Sequence, residues 1–358
     1  MASTYRYHDM GTPTLRTKFT YSIWLKRSGL GAIGTIASMW SDGNNHVVLR
    51  FNSNDTLVFY DYSIITEVAT NAVYKDTSAW YHIVVAFDST QGTAADRTKL
   101  YVNGVQQTSL GTATYGAQDN TPASNVSGTD NYLGARGDGA NYDGLMSHCH
   151  FVDGAVYQAS TFGSTDATTG EWKINTAPTI TEYGANGFFM FKDDASLNDD
   201  SGKGNNFVNQ SGTLTQTEDC PSDNFPTINR LDGVSDNAPF ANGNTTWSTS
   251  SASHYFWGRS TIGASSGKYY FEAKLSSASS YNHIGICDTI ATDSTTSLES
   301  EAYGWGYKNS DGKVYNNGGS VSYGDTFTTG DILGVAMDLD NNRLFFSKNG
   351  TWQNSGDP

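Results

Sequence analysis

Trp80-Tyr81-His82-Ile83-Val84-Val85-Ala86-Phe87-Asp88, a polar loop, and Lys99-Leu100-Tyr101-Val102-Asn103-Gly104 form a phrase that the chain uses twice. Its second copy is Gly330-Asp331-Ile332-Leu333-Gly334-Val335-Ala336-Met337-Asp338, a shorter loop, and Arg343-Leu344-Phe345-Phe346-Ser347-Lys348-Asn349-Gly350. The first strand of each copy is apolar on both faces, as a strand inside a sandwich is. The second alternates: Leu100 and Val102 oppose Lys99 and Tyr101, and Leu344 and Phe346 oppose Arg343 and Phe345. Each copy ends in Asn-Gly, the dipeptide that a tight hairpin selects because both central residues take positive φ. Two copies predict two β-sandwich units.

The rest of the 358 residues agrees. Phe19, Tyr21, Ile23 and Leu25 alternate along Phe19–Arg27, and strands are expected over 35–40, 46–51, 56–62, 131–134, 144–152 and 186–191. Residues 1–18 read as an arm or an edge strand. No segment has helical periodicity beyond about two turns, so almost no helix is expected. The formal net charge of −15 is shared by both halves, and no Lys/Arg stripe exists to hold nucleic acid. No run approaches the roughly 20 apolar residues of a membrane helix, and the N-terminus lacks an apolar signal core. The expectation is a protein made in the cytosol, not secreted by the ordinary route, with no membrane insertion. Cys149, Cys220 and Cys287 are odd in number and read as free thiols.

Phe19-Thr-Tyr-Ser-Ile-Trp-Leu-Lys-Arg-Ser, Ala79-Trp-Tyr-His-Ile-Val, Lys99-Leu-Tyr-Val-Asn-Gly, Tyr132-Leu-Gly and Tyr142-Asp-Gly-Leu-Met resemble, in order, the strands of laminin-G-like, concanavalin-A-like jelly-roll domains. The resemblance covers roughly 15–215. Asp199-Asp-Ser-Gly-Lys-Gly-Asn-Asn resembles a segment that precedes the first strand in that family but here follows the last, which implies a permuted order with 187–210 closing the same sandwich. Ser266–Lys274, His283–Cys287, Tyr303–Tyr307, Lys313–Asn316, Gly330–Asp340 and Leu344–Gly350 resemble the SPRY domain, also a concanavalin-A-like sandwich. The expected fold is therefore all-β, with two such jelly-roll sandwiches in tandem: 1–214, a linker over 215–244 marked by its prolines, and 245–358. SPRY domains normally continue past this hairpin, so the second sandwich is expected to be incomplete, its cover coming from residues beyond 358 or from a neighbouring chain.

The order of the two sandwiches, bridged by Pro221-Ser-Asp-Asn-Phe-Pro-Thr-Ile-Asn-Arg-Leu-Asp, resembles virion structural proteins of tailed bacteriophages, marine ones especially. That resemblance implies a non-enzymatic protein on the virion exterior, assembled in the host cytoplasm: a tail fibre or receptor-binding appendage for host-surface glycan or protein. It further implies other virion proteins as partners and a homo-oligomer, a trimer by preference. A capsid decoration protein is the alternative, and a glycoside hydrolase or depolymerase the second.

Catalytic motifs fail in context. Gly29–Gly34 matches G-x-G-x-x-G but precedes a strand and reads as a hairpin loop. Gly263–Gly267 matches G-x-S-x-G, yet a strand follows, leaving Ser265 in a turn. The paired carboxylates of a sandwich glycosidase are missing; Glu299 and Glu301 sit in a Ser/Thr-rich loop. His148 and His150 share a strand face without an obvious third ligand. No cofactor is expected, with calcium the one cation to consider. Its candidates are Asp138 with Asp143, and Asp199 with Asp200 and Asn205; both sets also read as solvated turns. Exposed aromatics beside Asn and Asp suit a sugar ligand, because rings stack on pyranose faces while amides take hydroxyls. Tyr281, Asn282, His283, Tyr303, Tyr315 and Trp305 are the ligand candidates, some of which must serve the core.

Overall fold

The computed structural model describes residues 4–122, 125–136, 140–231, 240–248, 257–288 and 297–358. They form two compact units, one of 1–227 with 242–244 and one of 228–241 with 245–358. Among them, helix is confined to Ala159–Phe162 and a 3₁₀ turn at Ala94–Asp96.

The first unit is a sandwich of an eight-stranded and a six-stranded antiparallel sheet. The smaller sheet runs Phe188–Met190, Gly144–Asp153, Lys18–Arg27, Trp80–Asp88, Thr98–Val102, Val105–Gln106. The larger runs Leu110–Thr114, Thr66–Val73, Thr56–Asp61, Asn45–Phe51, Gly34–Asp42, Asp130–Leu133, Tyr5–Asp9, Val208–Ser211. Phe19, Tyr21, Ile23 and Leu25 enter the core from one sheet with Ile83, Val85 and Phe87, and meet Val47, Leu49, Leu57 and Phe59 from the other. The N-terminal arm is a strand inside the larger sheet, between Asp130–Leu133 and Val208–Ser211. Phe188–Met190 pairs with Gly144–Asp153 and Val208–Ser211 with Tyr5–Asp9, so both ends of 187–210 belong to this unit. The Gly29–Gly34 loop is not a hairpin: the strands before and after it lie in different sheets, and it carries the chain across the sandwich edge.

The Lys18–Arg27 strand is buried on both faces almost throughout, although its sequence alternates. The cause lies outside the strand. Phe162 and Trp172 pack over Val84, Ala86 and Tyr101 on the outer face of the six-stranded sheet. Residues 219–225, expected to be linker, dock on the same face. Lys26 Nζ, only 1% exposed, reaches Asp219 Oδ2 at 2.7 Å, Asn224 Oδ1 at 2.8 Å and the Phe225 carbonyl at 2.6 Å. Trp80 Nε1, its cross-strand neighbour, donates to Asp219 Oδ1 at 2.8 Å.

The second unit contains the sheets Lys268–Lys274, Ile332–Asp338, Arg343–Lys348, Thr351–Trp352 and His283–Cys287, Gly304–Lys308, Lys313–Asn316, Gly319–Ser322. Tyr307, Phe327, Leu333, Val335 and Phe346 are its buried cluster. The far edge of Arg343–Lys348 is paired at Ser347 and Lys348 with Trp352 and Thr351.

The repeated phrase is structural. Asn103 and Gly104 have φ of 47° and 79°, and Asn349 and Gly350 have 48° and 81°, the signs a type I′ turn needs. Asn103 exchanges two hydrogen bonds with the His82 backbone, and Asn349 does the same with Ile332. At the other end of each first strand an aspartate pairs with a register-matched lysine: Lys18–Asp88 at 3.2 Å and Lys268–Asp338 at 3.3 Å.

Candidate functional site

In the second unit, alternation sorts core from surface. His283 pairs with Lys308 and Gly306 with Tyr315, so His283, Lys308 and Tyr315 share one face of the sheet. Ile284, Ile286, Tyr307 and Val314 point the other way, into or against the core. Trp305 also belongs to that inward side, two residues from Tyr307 and 38% exposed.

Glycines build the outward face. A Cβ at Gly304 would lie 2.4 Å from Leu298 and one at Gly306 would lie 2.6 Å from it. The loop before Gly304–Lys308 therefore rests directly on the sheet, which places Glu299 over its polar row. Glu299 Oε1 accepts a bond from Lys308 Nζ at 2.6 Å and lies 3.0 Å from His283 Nε2. The Lys308 ammonium sits 4.9 Å from the Tyr281 ring centroid and 5.0 Å from that of Tyr315, within cation–π range of both. Tyr315 meets His283 edge-on at 6.0 Å and donates to Asp311 Oδ2 at 2.6 Å.

Burial disfavours the Lys308 charge, but its bond to Glu299 prevails and its pKa rises. The His283 imidazole is pushed down by burial, only partly opposed by the Glu299 carboxylate, so it is neutral near pH 7. Of the sequence candidates, Tyr281, His283 and Tyr315 thus come together around a lysine that sequence reading did not name. Asn282 supports them: it accepts from the Ser279 backbone at 2.6 Å, while its own N–H donates to Asn309 at 2.9 Å, fixing the loop that carries Tyr281. Tyr303 is 53% exposed, and its carbonyl accepts from Asp288.

The calcium candidates look different. Asp199 Oδ1 accepts from Phe189 N and Ser201 N, and Oδ2 from Ser201 Oγ and Asn205 N, at 2.8–3.0 Å. This carboxylate staples a turn onto Phe188–Met190, and Asn205 donates its amide to the Ala185 and Gly187 carbonyls. The Asp200 N–H bonds to the Phe189 carbonyl. The Asp143 carbonyl accepts from Ser28 and Gly29; Asp138 lies outside the described residues. No group of three or more His, Cys, Asp or Glu suited to a metal occurs among the described residues.

His148 and His150 are packing residues. A bulge puts His148 at φ 45°, and His150 stacks on Phe189 at 3.9 Å. His82, on the same face of the six-stranded sheet, accepts at Nδ1 from Trp172 Nε1 at 3.0 Å, so its Nε2 carries the proton and donates to Ser22 Oγ at 2.8 Å. Burial lowers its pKa to about 3.

Sequence reading missed an aromatic surface in the first unit. Trp40 pairs with His46 across strands and packs against it at a tilt, 4.6 Å between centroids; His46 stacks on Tyr62 at 5.3 Å and meets Tyr60 edge-on at 5.5 Å. The signal was present: Tyr60 and Tyr62 stand two apart, and Trp40 and His46 flank a turn.

Residues 3–160 match the concanavalin A-like lectin/glucanases superfamily, and residues 268–355 match the SPRY domain. The chain carries both domains. Within the SPRY region it is 36% identical over 91 residues to Ran-binding protein 9 of Danio rerio and 35% identical over 91 residues to the Ran-binding proteins 9/10 homolog of Drosophila melanogaster. Those stretches are 25% of this chain and only 15% and 10% of the relatives, so the chain spans a small part of their length. Among solved structures, a putative carbohydrate binding protein from Bacteroides ovatus is similar at 16% identity, 62% of each chain and a TM-score of 0.40. Domains LG4-5 of the mouse laminin alpha1 chain are similar at 10% identity, 99% of this chain, 75% of that one and a TM-score of 0.32.

Proposed function

We propose that this chain is a non-catalytic recognition protein whose SPRY domain binds a polar ligand, glycan or protein, on the Tyr281–Lys308–Tyr315 face. The observation that carries the reading is the lysine held between two tyrosine rings, with Tyr281 64% exposed beside Glu299, His283 and Asp311. An aromatic face set among fixed charges and hydrogen-bonding groups is what a sugar or a peptide side chain needs. The superfamily of the first domain holds both lectins and glucanases and so allows binding without deciding against catalysis, whereas the Ran-binding relatives of the second favour binding. So does the local chemistry: Glu299 is engaged by Lys308 and Asp199 by four donors, which leaves neither poised as a general acid or nucleophile.

The place of action in this proposal is the exterior of a phage virion, as an oligomeric tail fibre or receptor-binding appendage. Its support is the order of the two sandwiches and the bridging phrase at Pro221–Asp232. The test uses the full chain on a glycan array and on host-cell surfaces. Tyr281→Ala and Tyr315→Ala are expected to weaken binding at least tenfold, with no reducing sugar released from any bound polysaccharide. Sugar release abolished by one Asp or Glu substitution would establish a hydrolase instead. Labelling of the head surface in virion micrographs would make the protein a decoration protein.

A further inference from the structure

We propose that the outer face of the eight-stranded sheet in the concanavalin A-like unit binds an acidic saccharide, a sugar ring bearing a carboxylate or a sulfate, at Arg50 and Tyr60. This site is separate from the SPRY face and does not depend on it.

Two guanidinium groups converge on one tyrosine. Arg50 Cζ lies 5.1 Å from the Tyr60 ring centroid, and Arg136 Nη1 donates to the Tyr60 hydroxyl at 3.0 Å. Arg136 also lies over Trp40, 5.5 Å from its centroid. Arg50 commits only Nε, to Asn52 Oδ1 at 2.9 Å. Its two terminal amino groups have no hydrogen-bond partner among the described residues, and no carboxylate there pairs with it. An unpaired guanidinium fork matches the geometry of a carboxylate or sulfate and binds it through two parallel hydrogen bonds.

The layer is already built. Val48, opposite Tyr60 in register, is fully buried although it points to the outer face. The rings and guanidinium groups therefore pack as one layer, and little side-chain freedom remains to be lost on binding. Tyr62 stacks on His46, which packs at a tilt against Trp40, and is 56% exposed, which leaves ring surface for the apolar face of a sugar. Charge argues for the class of ligand. On a chain of net charge −15, the Arg50 guanidinium is the group of this layer that favours an anion, opposed by Glu67, the register partner of Tyr60.

The test is calorimetric titration of the full chain with three oligosaccharides of equal length: an oligogalacturonate, a heparin-type sulfated oligomer and a neutral glucan. Inorganic sulfate is the fourth probe. At least one acidic oligomer should bind ten times or more tightly than the neutral one, and the better of the two identifies the anionic group. Arg50→Ala and Arg50→Gln should each cost tenfold or more, Arg50→Lys less, and Tyr62→Ala should weaken binding without unfolding the sheet. Tyr281→Ala should leave this binding unchanged, which separates it from the SPRY site. Equal binding of neutral and acidic oligomers, no binding of either acidic oligomer, or full affinity in a folded Arg50→Gln protein would overturn the proposal. Sulfate bound as tightly as the sulfated oligomer would reduce the site to a simple anion site and overturn the saccharide assignment.

Discussion

Asp61 is the residue whose chemistry conflicts most with its place. It ends the Thr56–Asp61 strand on the core side, in register with Val47, and is wholly buried. Ser63 donates twice to Oδ1, while Oδ2 has no hydrogen-bond partner among the described residues. Burial raises its pKa from the ordinary 3.8 to about 6, against the Ser63 bonds and Arg16. The folded protein therefore holds a proton that the unfolded chain releases between those two values. Stability falls as pH rises through that window, by about 1.4 kcal/mol per unit and roughly 3 kcal/mol in all, and levels off above it. Asp61→Asn keeps an acceptor for Ser63 and removes the buried charge. It should match wild type near pH 4 and exceed it by about 1–3 kcal/mol at pH 8 in urea unfolding; equal stability at pH 8 would show that burial does not raise the Asp61 pKa. His82 shows the milder outcome of burial: a neutral imidazole whose two nitrogens both have partners.

At the scale of elements, the strap over 219–225 explains why a strand can be read correctly and its burial misread. Period-two alternation placed Phe19, Tyr21, Ile23 and Leu25 on the core face, and they are there. The opposite row, with Thr20, Ser22 and Lys26, looked solvent-facing because its cover comes from segments about 130 to 200 residues away in sequence, which no local pattern announces. The Asn-Gly turns were legible because positive φ is a local demand. Tyr281, His283 and Tyr315 were legible as residue types, whereas Lys308 at their centre is defined only by strand register. The strap rests on a buried ion pair whose ammonium meets three acceptors. Removing one partner leaves an uncompensated buried charge, so Asp219→Ala should destabilise the first unit by about 3–5 kcal/mol. Lys26→Met with Asp219→Leu removes both charges and should recover at least half of that loss. Trp80 fluorescence reports the change directly through its bond to Asp219; a double variant no better than Asp219→Ala would mean that packing, rather than charge, holds the strap.

The whole chain uses one phrase in two settings, and the settings differ in burial. In the first unit the Lys18–Arg27 strand lies between two partners, and the sandwich encloses a core that draws on both sheets. In the second, the corresponding strand Lys268–Lys274 ends its sheet among the described residues and is exposed or half-exposed along its length, with Tyr269 and Tyr270 47% and 52% exposed. Its buried cluster among the described residues is five side chains. Hydrophobic stabilisation scales with the apolar area removed from water, about 25 cal/mol per Å², so the two units should not melt together. Calorimetry of the full chain is expected to show two transitions, the lower one belonging to the SPRY unit. Phe346→Ala, a deletion in the smaller cluster, should lower only that transition. Phe19→Ala, beneath Phe59, Phe87 and Phe151, should lower only the upper one. Each removes a fully buried ring, at a cost of about 3–5 kcal/mol, which displaces a transition by several degrees at least. Hydrogen exchange should agree, with amides of Lys268–Lys274 exchanging well before those of Lys18–Arg27. One cooperative transition, moved equally by both substitutions, would mean that the units fold as a single body and that the strand repeated in the second setting draws its stability from the first.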